Sequence, residues 1–336
     1  MSTQIIGLSN LGNTCFLNTC IQLISNIKEL NDHFIDDKYI LELNYNFKKK
    51  NFKKTKEIEL VYEYGKLINE MNSSKTTVNP NAFHKVIQNI DNRFAGYNQH
   101  DSQEIMLLIL DSINEALSYE VDVNYRGIIE NEIDSLMVES VKAWSNILKS
   151  NYSIITDLFY GLYINKIYSN EEENKDKILS KTFECFNMIT LSIKGKTLYD
   201  MLDNYFSKEN LDHKYKDEKT NKEYNVNRQI KIMNAPKYLV LVLKKYMNFN
   251  NMYTFPIENL NMEKYCEGYD KIDCKYRLDS VGCHSGNLNS GHYFSICRKG
   301  DGWCVLNDST VNKININEGK SIIFKNGYIL IYKKIS

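Results

Sequence analysis

The chain has 336 residues, with 42 Lys plus Arg balanced by 42 Asp plus Glu. A zero formal charge removes any global pull toward nucleic acid or an anionic membrane. The composition is globular, enough for one elaborated domain or two modest ones, and the longest apolar runs, "IMLLIL" and "YLVLVL", fall far short of the roughly 20 residues that cross a bilayer.

The N-terminus lacks the charged, apolar and small-residue order of a signal peptide. The first recognisable unit is "GLSNLGNTCFLNTCIQLI", Gly7 to Ile24: a small polar turn, then an apolar run. From Cys15 the positions Leu17, Cys20, Ile21 and Ile24 follow helical spacing. The basic stretch "KKKNFKKTKE" reads as a solvated helix face or loop rather than a binding patch. In "NPNAFHKVIQNI", Asn79 is a cap and Pro80 opens the first turn, with Phe83, Val86, Ile87 and Ile90 on one stripe. "DSQEIMLLILDSINEAL" opens on Asp101, with Glu104 three residues on, the pattern of a capping box. Its middle is apolar nearly all round, so it predicts a buried helix.

The second part turns to strands. "YGLYINKIYS", "NMITLSIKG", "KYLVLVLKKY", "YRLDSVGCH", "GHYFSICRK", "GWCVLND" and "YILIYKK" are β-branched or aromatic runs bounded by Gly, Asn, Pro or charge. Residues 169–177 and 214–225 read as loops. Helices followed by a mostly antiparallel sheet predict an α+β protein of two packed lobes, with a groove between them as the natural site.

Eight cysteines are scattered without a dense framework, which predicts free thiols in a reducing compartment. Cys20 falls on the apolar stripe and is assigned to the core. Cys15 follows the turn Gly12, Asn13, Thr14 and so occupies the first turn of its helix. Unpaired N–H groups and the positive end of the helix dipole converge there, which predicts a thiol pKa lowered toward neutrality. On this fragment alone a packed structural cysteine is the commoner outcome.

A nucleophilic thiol needs a proton carrier, usually histidine. His33, His84, His100 and His213 lie in polar or amphipathic stretches and are assigned to the surface or to satisfied positions. His284 and His292 flank "SGNLNSG", which reads as a mobile loop. His292 begins a strand behind Gly291, where glycine allows a substrate backbone close approach. A hairpin at "KGDG" returns through "WCVLND" and can bring Asn307 or Asp308 to the ring. A Cys–His–Asn arrangement is an established solution among cysteine peptidases. The backbone N–H of Cys15 and the carboxamide of Asn10 are candidate oxyanion donors. For Asn10, bracing of the turn is the equal alternative.

These motifs together resemble the ubiquitin-specific proteases, a family of cysteine deubiquitinases. "GLSNLGNTCFLNTCIQLI" is similar to that family's cysteine box, "GYNQHDSQEIMLLILD" to its glutamine-rich helix box, and "YRLDSVGCHSGNLNSGHYFSICRKGDGWCVLNDSTV" to its histidine box. The matches run in family order from Gly7 to Lys333. The resemblance implies a papain-like hand: a helical thumb at about 1–118, an antiparallel β palm at 119–157 and 239–336, and β fingers at 158–238, all one catalytic domain. It implies Cys15 as nucleophile, His292 as general base, Asn307 as third member, Asn10 as oxyanion donor and Asp308 as an assisting acid. Asp101 and Glu104 match acidic positions that engage the basic tail of ubiquitin, with helix capping as the competing role. Gly291 and Tyr293 would line the tail channel, with palm packing as the alternative for Tyr293.

One departure stands out. Many relatives bind a structural zinc through two Cys-x-x-Cys pairs at the finger tips. Here "KIYSNEEENKDK" and "HKYKDEKTNK" contain no cysteine, Cys185 is isolated, and His213 has no partners at ligand spacing. A tetrahedral zinc needs four such ligands, so the expectation is no zinc, no cofactor, and finger tips held by strand pairing alone. The short chain leaves room for no separate targeting or ubiquitin-like domain. The implied partner is ubiquitin or ubiquitinated protein, met by a monomer in eukaryotic cytosol or nucleus, whether host-encoded or carried by an infecting agent. Alternatives are a protease for a ubiquitin-like modifier, a catalytically silent ubiquitin-binding module, and a thiol acyltransferase.

Overall fold

The structure, a computed structural model, describes residues 5–49, 55–96, 98–124, 126–217, 221–245, 251–286 and 291–335. The N-terminal lobe is built from α1 (Cys15–Ser25), α2 (Lys28–Ile35), α3 (Lys38–Lys49), α4 (Thr55–Ser73), α5 (Asn81–Ile90) and α6 (Ser102–Leu117). α1 is buried from Cys15 to Ile24, which is why its sequence is apolar on nearly every face. α6 is capped by Asp101, whose side chain accepts from the Gln103 N–H at 2.8 Å. The reciprocal half of a capping box is missing, because Glu104 is exposed and faces Arg93 at 3.7 Å. Pro80, not Asn79, stands at the N-cap of α5, and Asn79 accepts from the Asn81 N–H at 3.0 Å. Residues 50–54 of the basic stretch lie outside the described residues.

α7 (Glu132–Leu148) and α8 (Ile154–Phe159) lead into the first strands. Ser153 and Thr156 form a full capping box at the start of α8. β1 (Gly161–Ser169) and β2 (Ile178–Phe186) pair antiparallel. β3 (Ile189–Ser192) and α9 (Leu198–Tyr205) follow, then β4 (Glu209–Asn210), β5 (Tyr215–Lys216), β6 (Glu223–Tyr224), β7 (Val226–Asn234) and β8 (Tyr238–Lys244). One sheet runs β2-β1-β7-β4. Leu162, Ile164 and Met233 seal it against Leu136, Met137, Trp144 and Ile147 of α7. The stretch read as a loop at 214–225 contains the β5–β6 hairpin, with 218–220 outside the described residues. Short strands of charged residues carry no alternating apolar pattern, so sequence periodicity misses them.

The main sheet adds β9 (Leu260–Asn261), β10 (Lys275–Gly286), β11 (Gly291–Lys299), β12 (Gly302–Asn307), β13 (Thr310–Ile314), α10 (Ile316–Asn326) and β14 (Gly327–Lys334). Its order is β13-β12-β11-β10-β14-β8-β3, with β9 on β10. Every described pairing in it is antiparallel except β3 on β8.

"YLVLVL" is apolar at every position because β8 faces two cores. Tyr238, Val240 and Val242 pack against the N-terminal helices, and Leu239, Leu241 and Leu243 against the opposite layer with Leu198, Leu202 and Ile323. The period of 2 along a strand makes this division automatic. β14 repeats it, with Ile329 and Ile331 on one side and Leu330 and Tyr332 on the other. The sheet is therefore a wall shared by both cores, and α1 is pressed onto it at β11. Among the described residues no helix is long and apolar enough to cross a membrane.

Leu241 is fully buried at the centre of this wall. Leu241→Ala should lower unfolding stability by about 2–5 kcal/mol through lost burial and the cavity left behind, read as a lower denaturant midpoint by fluorescence.

Candidate active site

The turn before α1 is folded by its own side chains. Gly12 and Asn13 adopt φ of 101° and 55°, left-handed values natural to glycine and asparagine. The Asn10 Oδ1 accepts from the N–H of Gly12 at 2.9 Å and of Thr14 at 3.2 Å, and Thr14 Oγ1 accepts from the Leu11 N–H at 2.9 Å. Cys15 is thereby delivered as the first residue of α1, as its position in the sequence predicts. Asn10 does brace the turn, but only with its oxygen. Its Nδ2 donates to Asp308 Oδ2 at 2.9 Å and keeps a second hydrogen for another acceptor.

Asp308 joins the two ends of the chain. Its other oxygen accepts from Asn18 Nδ2 at 2.8 Å, and its main-chain carbonyl accepts from the Leu8 N–H at 2.8 Å. It does so from a left-handed φ of 48° in the turn between β12 and β13. Gly7 makes the approach possible, since a Cβ there would lie 2.4 Å from the Ser309 carbonyl oxygen. Among the described residues Asp308 makes no hydrogen bond to His292, and its contacts are with the turn around Asn10.

His292 is on β11 and Asn307 ends β12. The imidazole Nε2 meets Asn307 Oδ1 at 2.6 Å. An amide oxygen only accepts, so Nε2 carries a hydrogen, and Nδ1 is the ring nitrogen left for a general-base role. Of the two candidates the hairpin offered, Asn307 takes the ring and Asp308 takes the turn.

Cys15 is 2% exposed and meets β11 at the main chain of Tyr293, the residue after His292. Burial pushes its thiol above the ordinary value, the main-chain N–H of Tyr293 pulls it down, and the Asp308 carboxylate pushes it up again. The N–H groups of Phe16 and Cys15, at the helix terminus, also pull it down. The lowered pKa expected from the helix position is thus corrected. The terminus acts with the right sign, but desolvation and a nearby carboxylate outweigh it. Cys20 is fully buried with its thiol donating to the Ser102 carbonyl, as its core assignment requires.

The acidic pair separates. Asp101 is half-buried and accepts from the Tyr328 hydroxyl at both oxygens, at 2.7 and 2.6 Å, besides capping α6. Glu104 is exposed. Gly291 is needed for a reason the sequence did not show: its missing Cβ would lie 2.1 Å from the His284 ring. Tyr293 packs its ring 4.4 Å from His284 and at the edge of the thumb core. His33 bonds Glu42 at 2.9 Å, His84 lies 3.3 Å from Gln88, and His213 is exposed. His100 is half-buried with its ring edge-on to Phe16 and Phe94, and its buried Nε2 has no hydrogen-bond partner among the described residues, so it is not satisfied as expected. Residues 287–290 of the "SGNLNSG" loop lie outside the described residues.

Sequence reasoning missed three site residues. Asn18 is 2% exposed on a buried helix that also carries buried Thr19 and Gln22, so its sequence position did not single it out. Tyr328 and Gln99 had no signal, because their partners are 227 and 192 residues away. All eight cysteines are free thiols. Among the described residues no cluster of three or more His, Cys, Asp or Glu could hold a metal.

The sequence profile of the family described as ubiquitin carboxyl-terminal hydrolase matches residues 6–332. Human ubiquitin carboxyl-terminal hydrolase 2 is 29% identical, covering 99% of this chain and 55% of its own length. Ubiquitin carboxyl-terminal hydrolase 5 of Saccharomyces cerevisiae is 26% identical, covering 98% of this chain and 45% of its own. The chain therefore spans about half the length of the curated relatives it matches. Two solved structures of the SAGA Ubp8/Sgf11/Sus1/Sgf73 module, one bound to monoubiquitin and one to ubiquitin aldehyde, share the fold. Their TM-scores are 0.75 and 0.73 at 22% and 23% identity, each covering all of this chain and 70% of the other. The papain-like hand of thumb, palm and fingers is thus the fold of this chain.

Because Asp308 pushes the Cys15 thiol up, Asp308→Asn should shift the pH midpoint of Cys15 alkylation by iodoacetamide downward. The wild-type midpoint should lie above the usual thiol value of about 8.5. Mass spectrometry of the Cys15 peptide across pH reads both.

Proposed function

This chain belongs to the ubiquitin carboxyl-terminal hydrolase family, and from that premise we propose that it is a thiol deubiquitinase that cleaves the peptide or isopeptide bond after ubiquitin's C-terminal glycine. The observation that carries the reading is the 2.6 Å His292–Asn307 bond made from the strand whose Tyr293 N–H faces a cysteine at a helix N-terminus.

In this reading the Cys15 sulfur attacks the carbonyl of the terminal glycine. Nδ1 of His292 takes the thiol proton and returns it to the departing lysine amine. The ring must come within about 3 Å of the sulfur for that transfer. Among the described residues the two make no hydrogen bond, so substrate binding closes the remaining gap. The raised thiol pKa fits this order, with the thiol neutral until a substrate arrives. The free hydrogen of Asn10 Nδ2 and the Cys15 N–H hold the oxyanion. Asp308 aims the Asn10 amide, which is its assisting role. Water activated by His292 then releases the acyl group. Thiol acyl transfer of this kind requires no cofactor.

The acidic positions divide in the same reading. Glu104 is exposed and meets a basic tail across solvent by sharing or leaving its 3.7 Å ion pair with Arg93. Asp101 already holds Tyr328, so its carboxylate meets an arginine only by sharing or exchanging that hydroxyl.

Cys15→Ala should abolish hydrolysis of a fluorogenic ubiquitin C-terminal amide while still binding ubiquitin in a pull-down or calorimetric titration. Turnover by that variant contradicts the assignment. Asn307→Ala should lower kcat roughly 10²- to 10⁴-fold by releasing the imidazole, and Asn307→Asp should retain more activity than Asn307→Ala.

A further inference from the structure

The edge of β11 beside the nucleophile carries a contact the chemistry does not use. In an antiparallel ladder, alternate residues send their N–H and C=O to the same side. β12 pairs with β11 only from Ser295 to Lys299. At Gly291 and Tyr293 the same edge of β11 has no strand neighbour among the described residues, and thumb residues meet it instead. The Tyr293 N–H faces the Cys15 sulfur. The Gly291 N–H donates to Gln99 Oε1 at 3.0 Å, and the Gly291 carbonyl accepts from Gln99 Nε2 at 2.8 Å.

Gln99 belongs to the connection between Phe94 and α6, so this pair of bonds spans the groove from thumb to palm. A carboxamide presents one acceptor and one donor side by side. That is the pair an extended main chain presents to a sheet edge. Gln99 is exposed and anchors no core.

We propose that Gln99 is a place-holder for substrate main chain, pairing with Gly291 in the free enzyme and yielding that edge to the glycine tail of the substrate. The inference rests on the deubiquitinase reading, which supplies the tail. Each binding event exchanges two Gln99 bonds for two main-chain bonds.

Two measurements test it. The first needs no substrate: hydrogen exchange at the Gly291 amide, by mass spectrometry or NMR. It should be slow in the wild type and about ten-fold or more faster in Gln99→Ala. The second is steady-state hydrolysis of a fluorogenic ubiquitin C-terminal amide. Gln99→Ala should lower KM by about five-fold or more, from the loss of two competing bonds, with kcat within about two-fold. Gln99→Glu keeps the acceptor but loses the donor to the Gly291 carbonyl, so it should lower KM as well and guards against a folding defect in the alanine variant. Fast exchange at Gly291 in the wild type overturns the place-holder and leaves the deubiquitinase reading intact. So does a raised KM in both variants, which would make Gln99 a substrate contact. Slow exchange in a wild-type protein inert toward the ubiquitin substrate overturns the parent reading, and the place-holder with it.

Discussion

One carboxylate holds the two ends of this chain together. Asp308, near the C-terminus, accepts from Asn10 and Asn18 through its side chain and from Leu8 through its main chain. Hydrogen bonds to a charged group are each worth about 1.5–3 kcal/mol, and Asn18 makes its bond from inside the protein, where water cannot replace it. The residue before Asp308 orients the histidine, and the asparagines that hold Asp308 flank the cysteine. The same few bonds therefore set the position of thiol, imidazole and oxyanion donor relative to one another.

The fold makes such a seam possible by giving both lobes a common wall. β8 and β14 send alternate residues into two cores, so the helical lobe cannot shift without disturbing strands that also support the far layer. α1 lies against β11 on that wall. Asn10 and Thr14 close the turn that begins α1 with local hydrogen bonds. Two further polar contacts join the lobes, Gln99 on Gly291 and Tyr328 on Asp101.

Much of this was legible in the residues. The strand patterns at 238–244, 275–286, 291–299 and 327–334 correspond to real strands of the main sheet, because buried β-branched runs bounded by turn residues leave few alternatives. Hairpin logic brought either Asn307 or Asp308 to the His292 ring, the family resemblance chose Asn307, and the structure joins His292 to Asn307. The rest depended on distance in sequence. That Asp308 serves the turn and not the imidazole follows from a left-handed φ and from partners about 300 residues away. That Gly291 is glycine because of His284 follows from the register of β10 on β11. The thiol pKa was misjudged because helix position is local, whereas desolvation depends on everything packed around the sulfur.

On the proposed reading the site is pre-assembled but quiet: His292 is oriented by Asn307, the Asn10 amide by Asp308, and the Gly291 edge is occupied by Gln99. The claim beneath all of it is that Asp308 positions the machinery. The direct measurement is hydrolysis of a ubiquitin C-terminal fluorogenic amide by Asp308→Ala, with folding verified by near-UV circular dichroism. The account predicts a folded protein with kcat lowered about 10²-fold or more, comparable to losing an oxyanion donor. A folded Asp308→Ala enzyme working within about three-fold of wild type contradicts it.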